Sequence, residues 1–182
     1  LDVFHSRGFY GAEVSLDVNR QVSPIEIVFS AVPGAQYHYG SITLEGFGQP
    51  EDEEYTSARD ALGLTDGDPA LAEPITAANG KLIAYLRNHG YPAPKIAKRD
   101  VVVDHAASAV DVIYRLETGP RATFGEAHYE GLSRVRPVVV DKLLPWTVGD
   151  SFDQRQVTAL RTALYDTGLF ATAAVDTLSE EI

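Results

Sequence analysis

Gly119-Pro-Arg-Ala-Thr-Phe-Gly-Glu-Ala-His-Tyr-Glu-Gly131 has a counterpart earlier in the chain, Gly34-Ala-Gln-Tyr-His-Tyr-Gly-Ser-Ile-Thr-Leu-Glu-Gly46. Superposed without a gap, Gly34 falls on Gly119, Gly40 on Gly125 and Gly46 on Gly131. An aromatic precedes the middle glycine in both (Tyr39, Phe124), and Glu45 and Glu130 precede the last. The offset is 85 residues. A period of that size exceeds the common solenoid repeats and points to a small domain repeated in tandem.

Reading outward from this stretch, each unit begins with the quoted strand and returns to the next one through helices and a hairpin. The helix ending before Gly8 leads to two alternating runs, Val14, Leu16, Val18 and Ile25, Ile27, Phe29, Ala31, which read as a β-hairpin. The strand of the second unit follows. Tyr37, Tyr39, Ser41 and Thr43 share one parity, His38, Ile42 and Leu44 the other, and Gly40 marks a bulge or a close backbone approach. Residues 51–54 are Glu-Asp-Glu-Glu. Acidic residues suit the first turn of a helix, and that reading is preferred here over a cation site.

A helix over 55–62 ends at Gly63, and a turn spans 64–69. The next helix starts near Pro74 and has Ile75, Ala78, Leu82, Ile83 and Leu86 as its apolar face. Gly80 weakens that helix and is expected to mark close packing. Gly90 ends it. Strands at 94–103 and 110–116 form a second hairpin around a turn at 104–108. The third unit reads as a strand at 122–129, a helix at 135–144 stopped by Pro145, and a helix opened by Ser151 with Gln154 at capping-box spacing. That helix carries Val157, Leu160 and Leu164 and ends at Gly168; a strand at 171–177 follows. Gly8, Gly90 and Gly168 hold equivalent places, each followed closely by an aromatic (Phe9, Tyr91, Phe170).

The fold class is therefore α+β, in units of strand, helix, helix, strand, strand, with both helices on one face of a three-stranded mixed sheet. The expected divisions are 1–33, the rear of a first unit; 34–118, a complete second unit; and 119–182, a third unit lacking its last strand.

Composition narrows the function. The 182 residues carry a net charge of −11, with acidic residues in excess in every unit. Nucleic-acid binding needs a Lys/Arg footprint that this chain lacks. The chain has no cysteine, so disulfides and thiolate metal sites are excluded. Methionine is absent even at position 1, as expected of a piece of a longer chain. No apolar run approaches the ~20 residues of a membrane helix.

No catalytic constellation emerges. His5, His38, His89, His105 and His128 are scattered and have no metal-ligand spacing. Nucleotide-binding glycine patterns and a Gly-x-Ser-x-Gly elbow are absent. Asp150 and Asp153 are explained by turn and capping chemistry. No cofactor and no metal are expected. The aromatics Tyr37, Tyr39, Phe124 and Tyr129 read as packing residues before a ligand stripe. The basic strand Lys95, Ile96, Ala97, Lys98, Arg99, Val101, Val102, Val103 has two readings. Lysines on an edge commonly prevent unwanted pairing, the commoner case; the same edge could receive an extended peptide.

The unit order resembles the POTRA (polypeptide-transport-associated) domain. The resemblance is carried by Phe124-Gly125 and Gly131, by Gly149-Asp150 with Phe152-Asp153, and by Ala163 to Phe170 with Leu164, Tyr165 and Gly168. Gly40, Gly46 and Gly90 mark the same places in the second unit, which departs in having Pro69 where the third has Phe152. Leu144-Pro-Trp-Thr-Val-Gly-Asp150 resembles the TamA branch of the BamA/TamA superfamily. The resemblance implies a non-enzymatic periplasmic region standing before an outer-membrane β-barrel. It implies reception of unfolded outer-membrane or secreted polypeptides and docking of partner subunits, a TamB-like protein or a lipoprotein. Strand addition would fall on Lys95–Val103. Division proteins of the FtsQ type and two-partner-secretion transporters also carry such units, and are the alternative; tandem units favour the first.

Overall fold

The computed structural model describes residues 1–19, 21, 24–132, 135–170 and 172–176. By internal contacts the chain divides into two compact units. One comprises Leu1–Leu82 with Ile96–Glu117, and the other Ile83–Lys95 with Thr118–Ile182.

The first unit opens with helix α1 (Asp2–Ser6) and the hairpin β1 (Glu13–Asn19) and β2 (Glu26–Val32), paired antiparallel with Leu16 opposite Phe29. Directly opposed residues share a face. Val14, Leu16 and Val18 therefore lie with Ala31, Phe29 and Ile27 on one apolar face, and that face is exposed.

Strand β3 (His38–Glu45) follows, then α2 (Glu53–Ala61), α3 (Ala72–Asn88), β4 (Lys95–Asp104) and β5 (Ala109–Glu117). The sheet order is β3-β5-β4, with β3 parallel to β5. The short turn after Asp104 makes β4 run back against β5. The sheet is mixed, and the last strand in sequence is its centre. Val110, Val112, Tyr114 and Leu116 of β5 are buried, as are Ile75, Ala78 and Leu82 of α3. The acidic run serves the helix start as expected: Glu53 and Glu54 occupy the first turn of α2.

The register of β3 slips between Tyr39 and Ile42, which confirms the bulge. Asp111 Oδ1 accepts from the Ser41 amide at 2.6 Å and from its hydroxyl at 2.8 Å. A Cβ on Gly40 would sit 2.5 Å from that same oxygen, so a side chain there would have to displace the Asp111 carboxylate from Ser41. The bulge also switches faces. Tyr37 and Tyr39 are buried before it, and Ile42 and Leu44, of the opposite parity, after it. Gly80 differs from expectation: it is exposed and nothing lies within 4 Å of the Cβ it lacks.

The second compact unit holds α4 (Pro137–Asp141) and α5 (Gln154–Asp166). Phe124 stacks on Trp146 with centroids 4.3 Å apart, and packs with Phe152 and Val157. Val140, Leu160 and Leu164 form a second cluster that includes Tyr129 and Phe170. Four expectations change here. The strand over 122–129 is reduced to one bridge, Thr123 opposite Ser151. Residues 172–176 form no strand, while 171 and 177 lie outside the described residues. In the first compact unit both outer strands hang on the last one in sequence, and among the described residues of the second compact unit no strand stands in that place. The helix expected over 135–144 is confined to Pro137–Asp141, since Pro137 sets its start and three β-branched valines weaken its continuation. The cap of α5 is Asp153 rather than Ser151: its carboxylate accepts from the Arg155 amide at 2.8 Å.

Candidate functional site: the free edge of the sheet

Both β3 and β4 are edge strands, and an edge strand presents a row of backbone groups to any passing chain. The two edges are treated differently. Along β3, the residues facing away from β5 are engaged one after another. The Tyr37 amide donates to the Gly8 carbonyl at 2.8 Å and its carbonyl accepts from Ala70 at 2.9 Å. Tyr39 bonds Asp68 and Gly67 in the same manner, at 2.8 Å each. Beyond the bulge, side chains of α2 take over. Arg59 Nε donates to the Ile42 carbonyl at 3.2 Å, and the Leu44 amide donates to the Tyr55 hydroxyl at 2.9 Å.

Along β4, among the described residues, no backbone hydrogen bond leads outside the sheet. The strand alternates, as a strand must. Arg99 turns toward α3, where its guanidinium donates to the Ile75 carbonyl at 3.1 Å and to Asn79 Oδ1 at 3.2 Å. Lys98 turns to the opposite face and pairs with Asp100 at 2.7 Å. Asp100 also pairs with Arg115 of β5 at 3.2 Å, and Arg115 with Glu45 of β3 at 2.7 Å. A ladder of alternating charge thus crosses all three strands. Lys98 and Arg115 beside it hold the Asp100 carboxyl below its ordinary range.

The candidate edge residues thus fall into distinct groups. Arg99 is committed to α3 and Lys98 to the ladder. Lys95 and Ala97 are exposed, Ile96 and Val103 half-buried, and Val101 and Val102 are 40% and 51% exposed. The residues open to a newcomer are therefore Lys95 and the apolar ones, together with the backbone. The sequence singled out the basic residues and missed Tyr55 and Arg59; their spacing of four on α2, which puts both on one helix face, was the available signal.

The motif residues of the repeat serve the fold. Phe124, Phe152 and Phe170 belong to the clusters above. Asp150 accepts from the Thr147 amide at 2.8 Å in the turn before α5, a bond that lowers its pKa, and Asp153 caps α5. Gly46, Gly131, Gly149 and Gly168 lie at positive φ, while Gly125 does not. Tyr37, Tyr39 and Phe124 are buried, as packing residues. Among the described residues no group of His, Asp and Glu could hold a metal ion, and no helix is long and apolar enough to cross a membrane.

No family model and no curated protein matches the chain. Solved structures do. POTRA domains 3–5 of BamA from Haemophilus influenzae align with a TM-score of 0.56 at 19% identity, covering 94% of this chain and 67% of that one. BamA from Haemophilus ducreyi lacking POTRA domains 1–3 aligns at 0.62 with 12% identity, over 80% of this chain and 27% of that one. POTRA domains 1–2 of the periplasmic domain of Omp85 from Anabaena align at 0.50 with 12% identity, over 76% and 84%. At these identities the likeness is one of architecture: the chain has the fold of POTRA domains.

Proposed function

We propose that this chain is the periplasmic POTRA region of an outer-membrane β-barrel assembly or translocation protein, and that it is a non-enzymatic receiver of unfolded polypeptide. The observation that carries the reading is the contrast between the two edges: β3 has outward backbone groups engaged both before and after the bulge, while among the described residues β4 has no backbone hydrogen bond leading outside the sheet. An extended segment adds to such an edge through its own backbone, which gives affinity with little sequence preference. That suits a receiver of many outer-membrane or secreted chains. Partner subunits, a TamB-like protein or a lipoprotein, dock on the same region, and residues 144–150 favour the TamA-like branch.

The units are 1–33, 34–118 and 119–182. The exposed face of β1–β2 supports the first: Ile27 and Phe29 lie 85 residues before Val112 and Tyr114, which α3 helps to bury in the second unit.

Proline on β4 tests the reading. Of two neighbours, one amide points into the sheet and one points out. Val101→Pro and Val102→Pro are made separately, and the variant that keeps its thermal transition has lost only an outward donor. Photo-crosslinking of an unfolded barrel-protein fragment to β4 is expected to fall in that variant. Unchanged crosslinking in a folded proline variant would overturn strand addition at β4.

A further inference from the structure

We infer that Tyr55 and Arg59 form a guard that keeps β3 from accepting a strand, so that addition is confined to β4. The inference rests on strand addition as the mode of binding.

The two halves of β3 are closed by different means. Before the bulge the cover is backbone, from Gly8 and residues 67–70, and it cannot leave without dismantling the unit. After the bulge the cover is two side chains. The Ile42 carbonyl and the Leu44 amide are the acceptor and donor that a neighbouring strand would use, and α2 supplies one donor and one acceptor in their place. Both substitutes are fixed. The Tyr55 ring is buried, which aims its hydroxyl, and Arg59 is held by Asp66 at 2.6 Å. A shallow groove lined by Ser41, Thr43, Tyr55, Thr56, Arg59 and Asp66 runs beside this half of the edge. Room for an extended chain therefore exists there. What is lacking is a free Ile42 carbonyl and a free Leu44 amide, and the two side chains are the reason.

A guard of this kind has a purpose in a receiver. A sheet with two open edges can be bridged to two chains at once, the first step of edge-to-edge aggregation. Closing one edge leaves a single productive register.

The test places a photoreactive residue at Thr43 on β3 or at Val102 on β4 of the 182-residue chain. The probe is a short synthetic peptide of alternating valine and threonine with lysine at both ends. The same peptide with proline at alternate positions is the control that cannot add as a strand. In the parent chain, proline-sensitive crosslinking is expected at Val102 and none at Thr43. In the Tyr55→Phe, Arg59→Ala double variant, Thr43 gains proline-sensitive crosslinking and Val102 keeps its own. Tyr55→Phe retains the buried ring and carries the test alone if the double variant fails to fold. Silence at Thr43 in a folded variant overturns the guard, as does crosslinking at Thr43 in the parent. Silence at Val102 throughout overturns the proposed role of β4 instead, and the guard is then judged on Thr43.

Discussion

The Tyr37 amide donates to the Gly8 carbonyl at 2.8 Å, and the bond recurs as Ala122 to Gly90 at 2.9 Å. In both places the start of the repeated stretch is clasped to the glycine that follows the helix before it. The clasp continues in both. Tyr37 accepts from Ala70 and Ala122 from Phe152, while Tyr39 and Phe124 each bond the Asp and Gly of the following turn. The backbone of the joint is thus part of the repeat, although its side chains differ. Tyr10, Tyr37 and His105 surround the first joint, and Arg121 over Tyr91 the second.

Gly80 within α3 and Gly90 just beyond it are expected to answer alanine with opposite signs. Gly90 has φ +100°, and a Cβ there would lie 3.2 Å from Arg121 Nε and 3.3 Å from Ser151 Oγ. Gly90→Ala should lower stability by roughly 1–2 kcal/mol, the cost of a left-handed residue with a side chain. Gly80→Ala, in open space within the helix, should raise it by roughly 0.5–1 kcal/mol. Urea denaturation of the two variants against the parent measures both. A destabilising Gly80→Ala would contradict the open environment.

Arg99→Ala is expected to act on stability rather than on peptide capture. Its two hydrogen bonds hold β4 to α3, and losing them should cost about 1–2 kcal/mol. Lys98→Ala removes only an exposed ion pair and should cost no more than about 1 kcal/mol. Equal melting temperatures for the two variants would refute the assignment of Arg99 to the helix side.

The charge ladder predicts an acid-sensitive sheet. The Asp100 pKa is depressed in the folded chain, first by Lys98 and then by Arg115. Its contribution is therefore present above the unfolded carboxylate value, near pH 4, and is lost as pH falls through the lower folded value. Asp100→Asn should be less stable than the parent at neutral pH, and the two should converge on acidification below about pH 4. Parallel denaturation curves across that range would exclude the ladder as a source of stability.

Alkali is predicted to act through Tyr39. Burial, then the neighbouring phenols Tyr10 and Tyr114, push its pKa up to about 12, while its hydroxyl donates to the Leu71 carbonyl at 2.9 Å. A raised folded value means that the contribution is complete below the unfolded value, near pH 10, and is lost as pH rises toward the folded one. The parent should lose stability between about pH 10 and the folded value, and Tyr39→Phe should lose less over that span. Absorbance titration at 295 nm would locate the step.

What could be read from residues alone was whatever depends on local pattern. The hairpin of Val14 to Ala31, the bulge at Gly40 and the apolar faces of α3 and α5 all follow from periodicity and glycine. The resemblance to POTRA domains led to the same architecture. Residues 122–129 read as a strand for the same reasons as 37–44, yet they carry a single bridge. A ladder needs a partner, and no local pattern reports whether the partner is within reach. The candidate edge was half legible. That β4 lies outermost was foreseen, but two of the basic residues that drew attention, Lys98 and Arg99, are occupied, and the guard on β3 came from polar tips of a helix read only for its apolar side.

The place of β5 at the centre of the sheet also sets a timetable. Chains are made from the N-terminus, so β3, both helices and β4 are present before any strand that can join them. Until β5 arrives, His38 has no Ala109 to pair with, across 71 residues of separation. Such long-range closure is slow and tends to be all-or-none. Each repeat should therefore lock in one late event, when its last strand is delivered. Until then β4 is bare on both sides.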